Sequence, residues 1–396
     1  MKKFLKKACV FMALALTSLS VGACNKDSSS SSAGKPLPPK PIVLGNVTQA
    51  KNVILFIGDG MGPNQIKAGN LFYNQQELYL ANFPYQTMVE TNNALGELTD
   101  SAAAATAMAT GKRTTNGIIG KTQDLTDLTT IIDIAHSMGK RTGVIATEEL
   151  SGATPMGFTS HAESRNNKQN LLTTAATSSN VNLFASYTMR FAYQDIFEDA
   201  GYTKVADVDA ISEQTAEKVF GTYLIDAKAS SMSAVAASVG FDRLVTESLE
   251  YLSKDEDGFF LMAEGSHIDH GGHNNDFNYM IEELMAFDQA VFAATAWAAN
   301  RNDTVIIVTA DHETGGLQLA DDITHEIIRD IYDNKIKKSP YYSWTTTGHT
   351  DTDVYCFING ADVAFENYSS FNDKYRIKNM DIFRIMCALM GAPDIV

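Results

Sequence analysis

Between Glu264 and His273 the chain reads Glu-Gly-Ser-His-Ile-Asp-His-Gly-Gly-His, five potential metal ligands in ten positions. Asp269 and His273, four residues apart, converge on one side if this piece is helical, and Gly271 and Gly272 let the backbone approach an ion. An exposed polar loop is the competing reading. It weakens because Asp311-His312-Glu313-Thr314-Gly315-Gly316 repeats the arrangement. A histidine beside an aspartate offers one imidazole nitrogen and one carboxylate oxygen, the donor mix that zinc favours. Gly348-His349-Thr350 adds a histidine that alone reads as a surface residue. Two zinc ions about 4 Å apart suit phosphoryl or sulfuryl transfer, one acting on the attacking oxygen and the other on the leaving oxygen. The nonbridging oxygens then need a planar cation. Arg165, in Ser160-His161-Ala162-Glu163-Ser164-Arg165, is the candidate, although a lone loop arginine is ordinarily a solvated charge.

A nucleophile is available at Ser101, which follows Thr99-Asp100 and opens the alanine-rich run to Gly111. Helix starts leave backbone N–H groups unpaired and carry positive partial charge, so an anion arriving at Ser101 would be held there. Taken alone, Asp-Ser before alanines is ordinary helix capping. The metal-ligand clusters elsewhere tip the reading toward catalysis.

The elements that position these residues follow one grammar. Asn52 to Ile57 is a continuous apolar run ending at Gly58-Asp59-Gly60-Met61-Gly62-Pro63, which reads as a buried parallel strand feeding a tight turn and a helix. The pattern recurs as helix 128–138 and strand 142–146, helix 242–252 and strand 258–263, and helix 277–299 and strand 304–309. Such alternation predicts an α/β three-layer sandwich, a large and mostly parallel sheet with helices on both faces. The polar constellations fall at strand carboxyl ends, where open α/β sheets gather their chemistry. Residues 167–233 carry short, mixed elements assigned to the periphery of the same domain. Residues 318–348 read as a small insertion over the site mouth.

Residues 1–23 read as a signal peptide: Lys2, Lys3, Lys6 and Lys7, an apolar run from Ala8 to Leu19, then small residues. Val21-Gly22-Ala23-Cys24 looks like the lipobox of bacterial lipoproteins, with Cys24 as the lipidated mature terminus; plain secretory cleavage is the alternative. Residues 24–41 form a Ser- and Pro-rich tether, so the fold is expected over 42–396, hung from a membrane in the cell envelope and facing the periplasm or the exterior. Loss of the four leader lysines takes the formal net charge from −16 to −20. So acidic a surface argues against nucleic acid and for a small substrate held by local positive charge. Cys356 and Cys387 lie in apolar stretches, and a bridge and two buried thiols are equally open.

The set Gly58-Asp59-Gly60-Met61-Gly62, Thr99 to Ala102, Ala153-Thr154-Pro155, His161 to Arg165, Glu264 to His273, Thr309 to His312 and Gly348 to Thr350 resembles the bacterial alkaline phosphatase family, in order and spacing over nearly the whole folded chain. The resemblance implies hydrolysis of small phosphate monoesters through a phosphoserine at Ser101, with release of inorganic phosphate. It implies one zinc ion on Asp269, His273 and His349, supplying the hydroxide that cleaves the phosphoserine. A second zinc ion on Asp59, Asp311 and His312 would activate Ser101. A third ion, usually magnesium, would lie on Asp59, Thr154 and Glu264. Arg165 would clamp the phosphate, and His270 would contact it. The family's common dimers allow a homodimer here. Two positions depart from the best-known bacterial pattern: Gly152 stands where an aspartate orients magnesium-bound water, and His270 where a lysine contacts phosphate through water. Magnesium and zinc are therefore both open at the third position.

The alternatives are a phosphodiesterase or phosphonate hydrolase on the same two-zinc core, and a catalytically inert phosphate- or metal-binding lipoprotein. Arg165 argues against the first, since a diester has one fewer charged oxygen to clamp. The intact Ser101 and ligand set argue against the second.

Overall fold

The computed structural model describes residues 42–73, 77–187, 191–222, 240–336, 340–371 and 375–392. The signal peptide, Cys24 and the tether lie outside the described residues. Residues Pro38–Val396 form one compact unit.

Its strands are β1 (Asn52–Gly58), β2 (Tyr85–Glu90), β3 (Arg141–Ala146), β4 (Leu183–Ser186), β5 (Thr203–Val205), β6 (Val219–Thr222), β7 (Phe259–Gly265), β8 (Thr304–Thr309), β9 (Glu313–Thr314), β10 (Leu317–Leu319), β11 (Tyr342–Trp344), β12 (His349–Thr350), β13 (Val354–Asn359) and β14 (Arg376–Lys378). Ten of them make one sheet in the order β14-β2-β13-β8-β1-β7-β3-β4-β6-β5. Within it β13 runs antiparallel to both neighbours and every other pairing is parallel. The helices Pro63–Phe72, Phe241–Leu252 and Phe277–Ala298 cover one face, and Ser101–Thr110, Ile131–Ser137, Ala153–Thr159 and Asp381–Met390 the other. This is the expected α/β sandwich. β1, β7 and β8 are buried along their whole length, which is why they read as uninterrupted apolar runs.

Register brings the chemistry to one edge. Gly58 pairs with Gly265, Ile57 with Thr309, and Ala146 with Glu264. Asp59, Glu264, Glu148 and Asp311 therefore emerge from neighbouring strand ends at similar height. Among the peripheral residues, β4, β6 and β5 extend the sheet at its far edge. Within 318–348, β10 and β11 pair as a two-stranded ladder. The helix His325–Tyr332 packs there on Pro63–Phe72, with the Phe72 and Tyr332 rings 5.0 Å apart.

The helix expected from 128 begins at Ile131, because Thr130 accepts from the Asp133 amide while Asp133 accepts from the Thr130 amide, a reciprocal cap that closes the helix there. Cys356 and Cys387 are buried thiols not bridged to each other. Among the described residues no helix is long and apolar enough to cross a membrane.

Every residue of the helix Ser101–Thr110 is buried, and its alanines let it pack closely on its neighbours. It packs on Ala153–Thr159, where a Cβ at Gly157 would stand 2.6 Å from the Ala105 Cβ. Ala105→Leu is expected to cost about 1–3 kcal/mol by overpacking and to lower turnover by moving Ser101. Denaturant unfolding and steady-state kinetics on one preparation check both.

Candidate active site

Asp100 caps the helix of Ser101: its Oδ1 accepts from the Ala103 amide at 2.9 Å, and its carbonyl accepts from Ala104 at 3.0 Å. Its other oxygen, Oδ2, accepts from Gly117 N at 3.0 Å and from Arg165 Nη1 at 3.1 Å. One carboxylate thus fixes both the helix start and the guanidinium beside it. Ser101 is a buried residue, and its hydroxyl lies 3.3 Å from His312 Nε2.

Three histidines meet here with a common orientation. His349 Nδ1 donates to the Thr99 carbonyl at 2.8 Å, and His273 Nδ1 to the Thr347 carbonyl at 2.6 Å. The Thr314 hydroxyl gives its single proton to Asp269 Oδ1 at 2.5 Å, so it accepts from His312 Nδ1, 3.2 Å away. With each Nδ1 engaged outward, each Nε2 turns inward toward carboxylates. His273 Nε2 lies 3.2 Å from Asp269 Oδ2, and His349 Nε2 lies 3.8 Å from Asp269 Oδ1. His312 Nε2 lies 3.1 Å from Asp311 Oδ2 and 3.7 Å from Asp59 Oδ1. Outward hydrogen bonds that fix the tautomer of inward imidazoles are what metal-ligating histidines usually have.

Two overlapping groups result, Asp269 with His273 and His349, and Asp59 with Asp269 and His312, the ligand atoms of each within 4.8 Å of one another. Asp269 therefore stands between both groups instead of serving one alone. The close approach needs Gly60: its φ is +75°, and a Cβ there would stand 2.6 Å from the Asp269 Cα.

The residues fit cations. Asp59 Oδ1, Asp311 Oδ2, both Glu264 carboxyl oxygens and Thr154 Oγ1 are buried with no hydrogen bond of ordinary length. Unpaired oxygens in a dry pocket are costly, and divalent ions would satisfy them. Burial and then the Asp311 charge push the Asp59 carboxyl well above the usual range; burial and then Glu148 do the same to Glu264. Asp311 is raised to about 6 by burial and then Asp269. Burial lowers His312 to about 4, and the neutral ring offers a lone pair. For Asp269, burial pulls upward, but the hydrogen bond from His273, the His312 ring and the Thr314 hydroxyl hold it below the usual range. Its hydrogen bond to Asp269 raises His273 to about 9.

The sequence-predicted ligands Asp59, Asp269, His273, Asp311, His312 and His349 thus come together around Ser101, with Thr154 and Glu264 behind Asp59. His161 instead bonds the Leu128 carbonyl at 2.8 Å and His325 the Leu71 carbonyl at 2.7 Å; His136 is exposed. Sequence reasoning missed three partners. Asp100, read only as a cap, also orients Arg165. Thr314 joins Asp269 to His312. Glu148, two residues past β3, has its Oε2 3.6 Å from His270 Nε2. The carboxylate's place just after a strand end was the one available signal.

The family model described as alkaline phosphatase matches residues 50–196 and 194–381. Alkaline phosphatase 3 of Bacillus subtilis (strain 168) is 31% identical over 347 residues, 81% of this chain and 72% of that protein. The repressible alkaline phosphatase of Saccharomyces cerevisiae is 30% identical over 69% of this chain and 56% of its own length. The alkaline phosphatase of the Antarctic bacterium TAB5 superposes with a TM-score of 0.72 at 30% identity, covering 87% of this chain and 99% of that one. A variant of it, solved with Mg bound in its M3 site, gives 0.73 at 29% identity, covering 88% and 100%.

His273 and Glu283, the latter raised to about 9 by burial, give the metal-free protein a defined pH response. Both hold protons in the fold that the unfolded chain has released by pH 7, so stability is lost as pH rises from 7 to 9. An ion displacing the His273 proton removes that share of the loss. The thermal midpoint of chelator-treated protein should fall between pH 7 and 9 more steeply than that of zinc-loaded protein; parallel curves would count against His273 as a ligand. By its family match, its relatives and its fold, the chain belongs to the alkaline phosphatase family of metal-dependent phosphate monoester hydrolases.

Proposed function

We propose that the protein releases inorganic phosphate from small phosphate monoesters by way of a phosphoserine at Ser101. The observation that carries this reading is the Ser101 hydroxyl at a helix N-terminus, 3.3 Å from His312 Nε2, with Arg165 aligned beside it by Asp100. Asp269, His273 and His349 would hold one zinc ion, Asp59, Asp311 and His312 a second. Glu264 and Thr154 with Asp59 would hold a third ion, magnesium or zinc. Such ions, when bound, lower the pKa of hydroxyls and offset the charge of the phosphate.

The chain's own groups do the rest. The first-turn amides and the helix dipole attract the phosphoryl group, and the Arg165 fork binds two of its nonbridging oxygens. Ser101 Oγ passes its proton to solvent and attacks phosphorus as the ester oxygen departs and takes a proton from water, leaving as the alcohol; water then cleaves the Oγ–phosphorus bond, returning the proton to Ser101 and freeing phosphate. His270, half-exposed at the site's edge, is a further candidate for phosphate contact. A charged guanidinium suits a dianionic monoester better than a diester. The strongly acidic sequence disfavours polyanions such as nucleic acid.

The leader and the Cys24 motif place the protein, in this reading, in the cell envelope on a lipid anchor facing the periplasm or the exterior. Mass analysis of the mature N-terminus tests the anchor. A homodimer belongs to the same proposal and is read by light scattering.

Ser101→Ala should lower kcat on p-nitrophenyl phosphate by at least about 10³-fold. Arg165→Ala, losing charge-assisted hydrogen bonds of about 1.5–3 kcal/mol, should lower kcat/KM by about 10- to 100-fold. Activity indifferent to Ser101, or preference for the bis-ester, would leave the metal core and refute the reaction.

A further inference from the structure

Several buried polar groups are not used by this chemistry and lie together. His267 Nδ1, Glu283 Oε1 and the Tyr279 hydroxyl are buried with no hydrogen bond, although His267 and Glu283 are only 7% and 4% exposed. They sit at a further cluster, in which ligand atoms of Glu148, His267 and His270 lie within 4.8 Å of one another. The rings of His267 and His270 are 4.8 Å apart and tilted by 31°. Glu283 Oε2 stands 3.9 Å from His267 Nδ1. The Glu283 carboxyl thus stands, beyond hydrogen-bond length, on the side of His267 where a ligating histidine has its outward partner, and Glu148 and His270 stand near the same ring.

Gly152 makes room for this cluster. A Cβ at 152 would stand 2.3 Å from Glu148 Oε1, so the Glu148 carboxylate occupies the space a side chain there would fill. The glycine's φ of −58° is open to any residue, which leaves space as the reason for it. The segment carrying Glu148 is pinned against the end of β7. The Thr147 amide donates to the Glu264 carbonyl at 3.1 Å, and the Ser266 amide donates to Thr147 Oγ1 at 2.8 Å. Glu148 is thus held next to Glu264, whose own two oxygens are unpaired.

We propose that Glu148, His267 and His270 form a separate site for one divalent cation of the zinc class, next to Glu264 and apart from the ligand groups assigned above. Two imidazoles and a carboxylate are a zinc donor set; magnesium keeps to oxygen ligands and an octahedral shell. The cation offsets Glu148 and Glu264 facing each other, while Glu283 takes the outward side of His267. With His270 on this cation, phosphate contact rests on Arg165 and the helix amides, and the site does not depend on Ser101.

Zinc-edge anomalous diffraction from zinc-saturated protein, with elemental analysis of zinc per chain, tests the proposal. The expected map has a peak bounded by Glu148, His267 and His270, separate from those at His273 and His312. Glu148→Gln, a conservative change at a half-buried position, should remove that peak alone and lower the zinc content by one ion per chain. His267→Gln should do the same, and circular dichroism confirms that each variant is folded. Excess magnesium should leave the peak in place. No density beside Glu148 at saturating zinc, unchanged zinc content in folded Glu148→Gln, or replacement by magnesium would each overturn the proposal. Loss of the peaks at His273 and His312 with this one retained would instead refute the ligand assignment of the active site.

Discussion

Carboxylates that face one another away from water are the constraint on which the rest of this structure depends. Asp59, Glu264 and Asp311 are buried, each is raised by burial and by a neighbouring anion, and each keeps an oxygen without a hydrogen bond. A dry pocket holds several anions only if protons or cations offset them. Protons would neutralise these groups one by one, whereas a divalent cation takes lone pairs from several of them at once. The histidines say which solution the fold is built for, because each of His273, His312 and His349 engages Nδ1 outward and turns Nε2 in. Metal binding and stability are then one property, since the ion removes a penalty that the fold carries without it.

The sheet supplies the geometry. With β1 between β7 and β8 and their ends in register, groups from three strands arrive at one point without long loops to hold them. The helix Ser101–Thr110, buried along its whole length, brings the Ser101 hydroxyl, the proposed nucleophile, from the layer beside the sheet. Asp100 joins that helix to Arg165, so the proposed nucleophile and the proposed phosphate clamp share one support.

Much of this was legible along the chain because buried parallel strands write themselves as apolar runs, and the candidate site residues stand just after such runs. Asp59, Glu264 to His273 and Asp311-His312 follow that rule. The helix start at Thr130 was missed in favour of 128, although the spacing from Thr130 to Asp133 carried the signal for it. What could not be read were contacts between distant segments that have no period. Arg165 meets Asp100 across 65 residues, and Thr314 meets Asp269 across 45. The filling of the space at Gly152 by Glu148 is a matter of volume, and a glycine in sequence does not say whose side chain needs its place. The division of Asp269 between two ligand groups was hidden for the same reason.

The central claim is a covalent bond from phosphorus to Ser101. Zinc-loaded protein mixed with a phosphate monoester and quenched in acid, where a phosphoserine survives, should yield a proteolytic peptide heavier by one phosphate, localised by fragmentation to Ser101. Turnover with no phosphate on that peptide, or with phosphate on another residue, would contradict the account.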